Sequence, residues 1–267
     1  MNDTVSLDAL LDAAIAAAEA GAAVLAEKFG GVRQIEHKGH IDLVTDADKA
    51  AEAATLAVLR SRFPDHAILA EEEGASGASP YRWIVDPLDG TTNYAHGIPQ
   101  FCTSVACEVN GRLEVGVIVD PMRRERFSAA TGRGAFLNGE RLHVTRAAEL
   151  HRAVLATGFP YWVQERVDEV IELFGAFLRR AQGVRRFGSA ALDLAWVAAG
   201  RYDGFFELKL KPWDVAAGFV LVREAGGLVT GLEGEPFSLE SGDTLAANPA
   251  LHAQMVPVAQ AARTRWR

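Results

Sequence analysis

Leu10, Ala14, Ala18, Ala22, Leu25 and Phe29 recur at three- and four-residue intervals, which predicts an amphipathic helix over residues 7–29, ended by Gly30-Gly31. Thr45 opens a second helix that runs to about Arg62 and stops before Pro64. The period then shortens. Ala67–Ala70 reads as a strand, followed by three acids, a Gly/Ser/Pro loop over Gly74–Pro80 and a strand over Tyr81–Val85. From Phe101 to Val144 apolar runs alternate with turns, and Asn138-Gly139 is a two-residue hairpin turn between two of them. Helical periodicity returns at about 163–181, 189–199 and 214–225, and strands are expected near Val154–Ala156, Gly204–Phe206, Leu228–Thr230 and Thr244–Ala247. A meander followed by alternating strands and helices predicts a layered α/β structure, with the meander in one sheet and the later strands in another. There is no internal repeat, low-complexity tract or long linker.

Composition narrows the class. Of 267 residues, 49% are apolar and 23% charged, which is ordinary for a globular chain. A net charge of −8 argues against nucleic acid as the main ligand, because phosphate backbones are bound by clustered Lys and Arg. An acidic chain still binds an anionic substrate if metal ions invert the local charge. Cys102 and Cys107 form neither a disulfide framework nor a zinc pattern; five residues apart on a strand, they should face opposite sides as buried thiols. The N-terminus lacks the basic start and unbroken apolar core of a signal peptide, and no stretch is expected to approach the ~20 apolar residues that span a bilayer. The cytoplasm is the expected compartment.

The candidate chemistry lies in acids at the ends of elements. Trp83-Ile84-Val85 delivers Asp86; Pro87 should force a turn, and Asp89 follows with Gly90, whose missing Cβ lets backbone approach a ligand. Two carboxylates on one tight turn repel unless a hard cation sits between them. Thr91 and Thr92 then offer hydroxyls and N–H groups for a phosphate, especially if a helix begins there. Glu71-Glu72-Glu73 follows a strand end, Thr45-x-x-Asp48 opens a helix, and Asp214 precedes another. Each has a plain structural explanation: a solvated face, a capping box and an N-cap, respectively. Their joint occurrence favours a metal site. There is no Walker A loop, G-x-S-x-G elbow, HExxH or paired CxxC, and His37 and His40 are expected on a polar loop.

The run DPLDGTTNY, with LVTDAD and AEEEG upstream and GSAALDLAWVAAGRYDGFFE and PWDVAAGFVLVREAGG downstream, resembles the inositol monophosphatase family, in order from about residue 7 to 250. The resemblance implies a five-layer αβαβα sandwich, one unit over 1–267. Most metal ligands would lie in about 1–145, and Asp214 and the substrate contacts in about 146–267. It implies a homodimer that hydrolyses small phosphate monoesters with two or three Mg²⁺ and is often inhibited by Li⁺. Carried over by motif, Glu71, Asp86, the Leu88 carbonyl, Asp89 and Asp214 would be metal ligands. Asp48 and Thr91 would orient and deprotonate the attacking water. Glu72 would support them from behind, with Glu73 leaving a one-residue ambiguity. Gly90, Thr91 and Thr92 would hold the phosphate; Glu207, Arg185, Gly188, Ser189 and Ala190 would meet the rest of the substrate, and Lys38 would stand near the metals. The implied chemistry is in-line attack by metal-activated water without a phosphoenzyme. The expected substrate is myo-inositol 1-phosphate, with histidinol phosphate as the alternative and fructose 1,6-bisphosphate, NADP and 3′-phosphonucleotides behind it. A metal-dependent interaction protein with incidental hydrolysis is the competing class.

Overall fold

Strand alternation here is buried on both sides. Ile84, Cys102, Ala106 and Ile118 enter one apolar core, whereas Trp83, Val85, Val105, Cys107, Val115 and Val117 enter another. A sheet with two apolar faces needs a helical layer on each. The computed structural model describes residues 5–31, 35–37, 43–160 and 162–264. In chain order its elements are α1 (Leu7–Lys28), β1 (Ile35–His37), β2 (Leu43–Thr45), α2 (Asp46–Arg62), β3 (Ala67–Ala70), β4 (Gly74–Ser76), β5 (Tyr81–Asp89), α3 (Thr91–Ala95) and β6 (Cys102–Val109). There follow β7 (Arg112–Asp120), β8 (Glu125–Ala130), β9 (Gly134–Leu137), β10 (Glu140–Arg141), β11 (Val154–Ala156), α4 (Val167–Leu178) and β12 (Gly183–Arg185). The last are α5 (Ala190–Ala198), β13 (Gly204–Glu207), α6 (Pro212–Glu224), β14 (Leu228–Thr230), β15 (Thr244–Ala247) and α7 (Pro249–Arg263).

One sheet runs β10-β9-β8-β7-β6-β5-β3-β4, and a second runs β12-β11-β13-β15-β14. Helices α1 and α2 cover the outer face of the larger sheet. Its other face packs on α5 and α6, which also meet the smaller sheet. On the far side of that sheet, α4 and α7 close a third core around Phe177, Phe206 and Leu251. The result is five layers in the order αβαβα. Gly116 and Gly218 show how tight the middle is: a Cβ on Gly116 would meet the Ala217 carbonyl oxygen at 2.5 Å, and one on Gly218 would meet Leu194 Cδ1 at 2.5 Å.

Several expectations change. The larger sheet holds the meander, but β3, β4 and β5 extend it. Gly74–Ser76 is a short edge strand antiparallel to β3 rather than loop. Elements β12 and α7 were not anticipated: three residues are too few for a period, and Pro257 interrupts α7. His37 ends strand β1 rather than lying on a loop, and His40 is outside the described residues. By length and composition α1 could cross a bilayer, with mean hydropathy 1.7, contrary to the expectation that no stretch came near. Its alanines produce that hydropathy, and Leu10, Ala13, Ala14, Ala17 and Ala18 spend it against the sheet and α2. The Asn138-Gly139 turn forms as expected, both residues at positive φ (50° and 90°), as a type I′ turn requires.

Candidate active site

Residues three apart on a regular strand point to opposite faces. Asp86 and Asp89 escape that rule because Asp86 pairs with Ser104 but Asp89 with Cys102, so one extra residue bulges out between them. Pro87, which cannot donate to the ladder, sits in this bulge rather than forcing the anticipated turn, and β5 continues through it to Asp89. The bulge is bonded in place: Asp86 Oδ1 accepts from Leu88 N at 3.0 Å, and the Pro87 carbonyl accepts from Thr103 Oγ1 at 2.9 Å. Gly90 follows at φ 101° and caps α3. A Cβ there would come within 2.8 Å of the Gln100 carbonyl oxygen. Helix α3 does begin at Thr91, so its first N–H groups have no partner within the helix.

Asp48 is the N3 residue of α2. Its Oδ2 accepts from Thr45 N at 2.8 Å and Thr45 Oγ1 at 2.5 Å, closing the capping box. Its Oδ1 accepts from Thr91 Oγ1 at 3.1 Å, and the same hydroxyl lies 3.0 Å from the Leu88 carbonyl. Asp48 therefore closes the capping box with one oxygen and meets Thr91 with the other. Asp214 is also at N3, its Oδ2 accepting from Lys211 N at 2.7 Å. It is not the N-cap expected from sequence, because Pro212 supplies the preset φ that starts α6 two residues earlier.

The acidic run divides cleanly. Glu73 is exposed and pairs with Arg60 at 2.5 Å. The charges of Glu71 and Glu72 are felt by Asp86 and Asp48, respectively. Glu71, whose N–H meets the Val85 carbonyl at 3.2 Å, thus lies beside the bulge, Glu72 acts on Asp48, and Glu73 is at the surface. Burial, reinforced by the charges of Glu71, Asp89 and Asp214, raises Asp86 well above the usual carboxylate range. Asp214 is raised well above it too, by burial and by Asp89. Burial also pushes Asp89 up to about 6 against hydrogen bonds from Ser189, Ala191, Ala190 and Cys102, and pushes Asp48 up to about 6 against those from Thr45.

Asp86, whose proton affinity Glu71, Asp89 and Asp214 all raise, makes with them an all-oxygen, hard donor set that a divalent cation would neutralise. In the present arrangement no three acidic, histidine or cysteine side chains among the described residues close on one point. Asp86, Asp89 and Asp214 each turn one oxygen to a backbone N–H instead. The residues fit a Mg²⁺-like ion by donor chemistry and charge. Lys38 lies outside the described residues.

An open cavity of about 810 Å³ reaches this cluster. One wall is Asp89, Gly90, Thr91 and Thr92; Gly188, Ser189, Ala190, Glu207 and Asp214 also border it. Ser189 Oγ donates to Asp89 Oδ2 at 2.6 Å and Ala191 N at 2.7 Å, so Asp89 anchors the start of α5. Asn93 Nδ2 holds the same loop from α3, donating to the Phe187 carbonyl at 2.7 Å. Glu207 ends β13, and burial pushes it up to about 8 despite Arg186. The guanidinium bordering the cavity is that of Arg186, 5.4 Å from the Phe159 ring centroid; Arg185, expected there, is exposed in β12 outside the lining. The expectation named Arg185; the neighbouring Arg186 borders the cavity instead. Sequence reasoning also missed Asn93, whose only sign was a polar residue after the two threonines, and Glu52, considered further below.

The inositol monophosphatase family model matches residues 6–264. Among curated relatives, the Nus factor SuhB of Pseudomonas aeruginosa is 47% identical over 223 residues, covering 81% of this chain and 82% of the relative. The inositol-1-monophosphatase of Synechocystis is 44% identical over 263 residues, covering 97% and 91%. Among solved structures, the inositol monophosphatase from Anabaena superposes with a TM-score of 0.89 at 43% identity, covering 96% of this chain and 97% of its own.

Proposed function

The chain belongs to the inositol monophosphatase family and is a phosphatase, and from that premise we propose that it hydrolyses myo-inositol 1-phosphate with Mg²⁺ as its cation. The observation that carries this reading is the buried Asp48–Thr91 contact beside Glu71, Asp86, Asp89 and Asp214. Uncatalysed phosphate-monoester hydrolysis is extremely slow and is accelerated by positioning and charge stabilisation rather than covalent help. Bound Mg²⁺ supplies Lewis acidity, lowering the pKa of water and neutralising charge on the phosphoryl and leaving oxygens.

The chain's own groups do the rest. A threonine hydroxyl has one proton and two lone pairs. Thr91 Oγ1 gives its proton to Asp48 Oδ1 while accepting one from the attacking water, so a proton leaves the nucleophile as its oxygen bonds to phosphorus. The nearby Glu72 raises the proton affinity of Asp48 and so favours its role as acceptor. Thr91 and Thr92 line the cavity at the start of α3, where their backbone N–H groups would serve phosphate oxygens. Glu207 and Arg186, at the other end, offer an acceptor and a fork of donors to the ring hydroxyls. The leaving alkoxide takes its proton from solvent. We further infer a cytoplasmic homodimer.

The substrate is decided by turnover on myo-inositol 1-phosphate against histidinol phosphate, fructose 1,6-bisphosphate, NADP and 3′-phosphoadenosine 5′-phosphate. A kcat/KM above ~10⁴ M⁻¹s⁻¹ for the inositol ester and at least about tenfold lower for the others supports the assignment. Preference for another ester reassigns the substrate within the class. A second reading, favoured by the Nus-factor relative at 47% identity, is that the chain also acts as a Nus factor. Cellular function surviving in a hydrolytically dead Asp89→Asn strain would support it.

A further inference from the structure

Glu52 lies one turn after Asp48 on α2, so the two share a helix face, and it is only 2% exposed. Its Oε2 accepts from Glu72 N at 2.9 Å and its Oε1 from Glu73 N at 2.8 Å. A carboxylate that takes two consecutive backbone N–H groups fixes the peptide between them. The clamped turn is the one that carries Glu71 and Glu72. On its other side Glu71 N donates to the Val85 carbonyl at 3.2 Å, next to Asp86. The turn is thus held from α2 and from β5 at once.

The choice of residue is informative. Glu52 is packed against a run of acids whose charges oppose its own. Glutamine would relieve that repulsion, but its amide has one acceptor end and one donor end, and the donor would face an N–H. Only a carboxylate caps both N–H groups together. Through one helix face, Asp48 engages Thr91 and Glu52 engages the turn of Glu71 and Glu72, so α2 sets the distance between the two halves of the site.

We propose that Glu52 is a positioning residue that holds the Glu71–Glu73 turn in register with Asp48 and thereby sets the affinity of the carboxylate cluster for its divalent cation. The inference rests on the metal-dependent reading given above. Partners that orient metal ligands typically change metal affinity about 10- to 100-fold when removed.

The test titrates Mg²⁺ into the full-length, EDTA-stripped protein, followed by calorimetry and by the rise in Tm. The proteins are the parent, Glu52→Ala, Glu52→Gln and the control Thr55→Ala. Thr55 is also buried on α2, but its hydroxyl donates to the Ala51 carbonyl of the same helix. Half-saturation should require about tenfold more Mg²⁺ or higher in Glu52→Ala, less of an increase in Glu52→Gln, which keeps one acceptor, and no change in Thr55→Ala. A folded Glu52 variant with the parent's half-saturation, whatever its Tm without Mg²⁺, overturns the proposal; if Glu52→Ala does not fold, Glu52→Gln decides by the same criterion. A parent that binds no Mg²⁺ refutes the metal-dependent reading itself, a failure distinguishable from that of the clamp.

Discussion

Thr91 Oγ1 lies 3.1 Å from Asp48 Oδ1 although 43 residues separate the two in sequence. Asp48 closes a capping box with one oxygen and meets Thr91 with the other, so one side chain both starts α2 and faces the site. The contact is possible because the bulge in β5 and the left-handed Gly90 turn α3 toward the start of α2.

Thr91→Val keeps the volume and removes the hydroxyl. Turnover should fall about 10²- to 10⁴-fold, the usual size of a lost proton transfer. Stabilisation by Mg²⁺ should survive, because the carboxylates remain. Steady-state phosphate release and thermal shift, measured on the same preparation, check both halves of the prediction.

Asp86→Asn removes a buried carboxyl that the charges of Glu71, Asp89 and Asp214 oppose. Without divalent metal the variant should unfold at a higher temperature than the parent near pH 8, because a neutral amide tolerates this site better than a charge does. With Mg²⁺ the order should reverse. A calorimetric scan in EDTA and another in Mg²⁺ give the comparison.

Gly90→Ala tests the backbone. The added Cβ meets the Gln100 carbonyl oxygen at 2.8 Å, and φ is 101°, a region that L side chains rarely adopt. The cost should be about 1–3 kcal/mol of stability, read as a lower midpoint in urea with an unchanged slope.

Much of this was legible in the residues. Helix boundaries at Thr45 and Gly30, the Asn138-Gly139 turn and the two-faced burial of Cys102 and Cys107 follow from capping, turn chemistry and alternation, which are local rules. The bulge at Pro87 was not legible, because a proline between two acids reads equally as a turn; only pairing with Ser104 and Cys102 distinguishes them. Glu52 and Asn93 escaped notice for a related reason. Their partners, the 72–73 peptides and the Phe187 carbonyl, are 20 to 94 residues away and are backbone atoms, which leave no mark in the sequence. Arg185 and Arg186 are adjacent and chemically identical, so only the exit of the chain from β12 decides which one reaches the cavity.

Glu207 carries a pH dependence with a definite sign. Burial lifts its pKa from 4.5 to about 8, so the folded protein holds that proton more tightly than the unfolded chain. The stabilisation is fully present below about pH 4.5, declines as pH rises and is gone above about 8. Glu207→Gln does not titrate. In EDTA its stability relative to the parent should therefore grow between about pH 5 and 8, by an amount on the order of a few kcal/mol, measured by urea denaturation at each pH.

On the reading proposed above, the carboxylate cluster holds a divalent cation on which phosphate-ester hydrolysis depends. The most direct test is phosphate release from myo-inositol 1-phosphate by the parent and by Asp89→Asn, in Mg²⁺ and in EDTA. The parent should release phosphate in a way that EDTA abolishes and Mg²⁺ restores, and a folded Asp89→Asn variant should release none. Release that persists in EDTA, or near-normal turnover by Asp89→Asn, would contradict that reading.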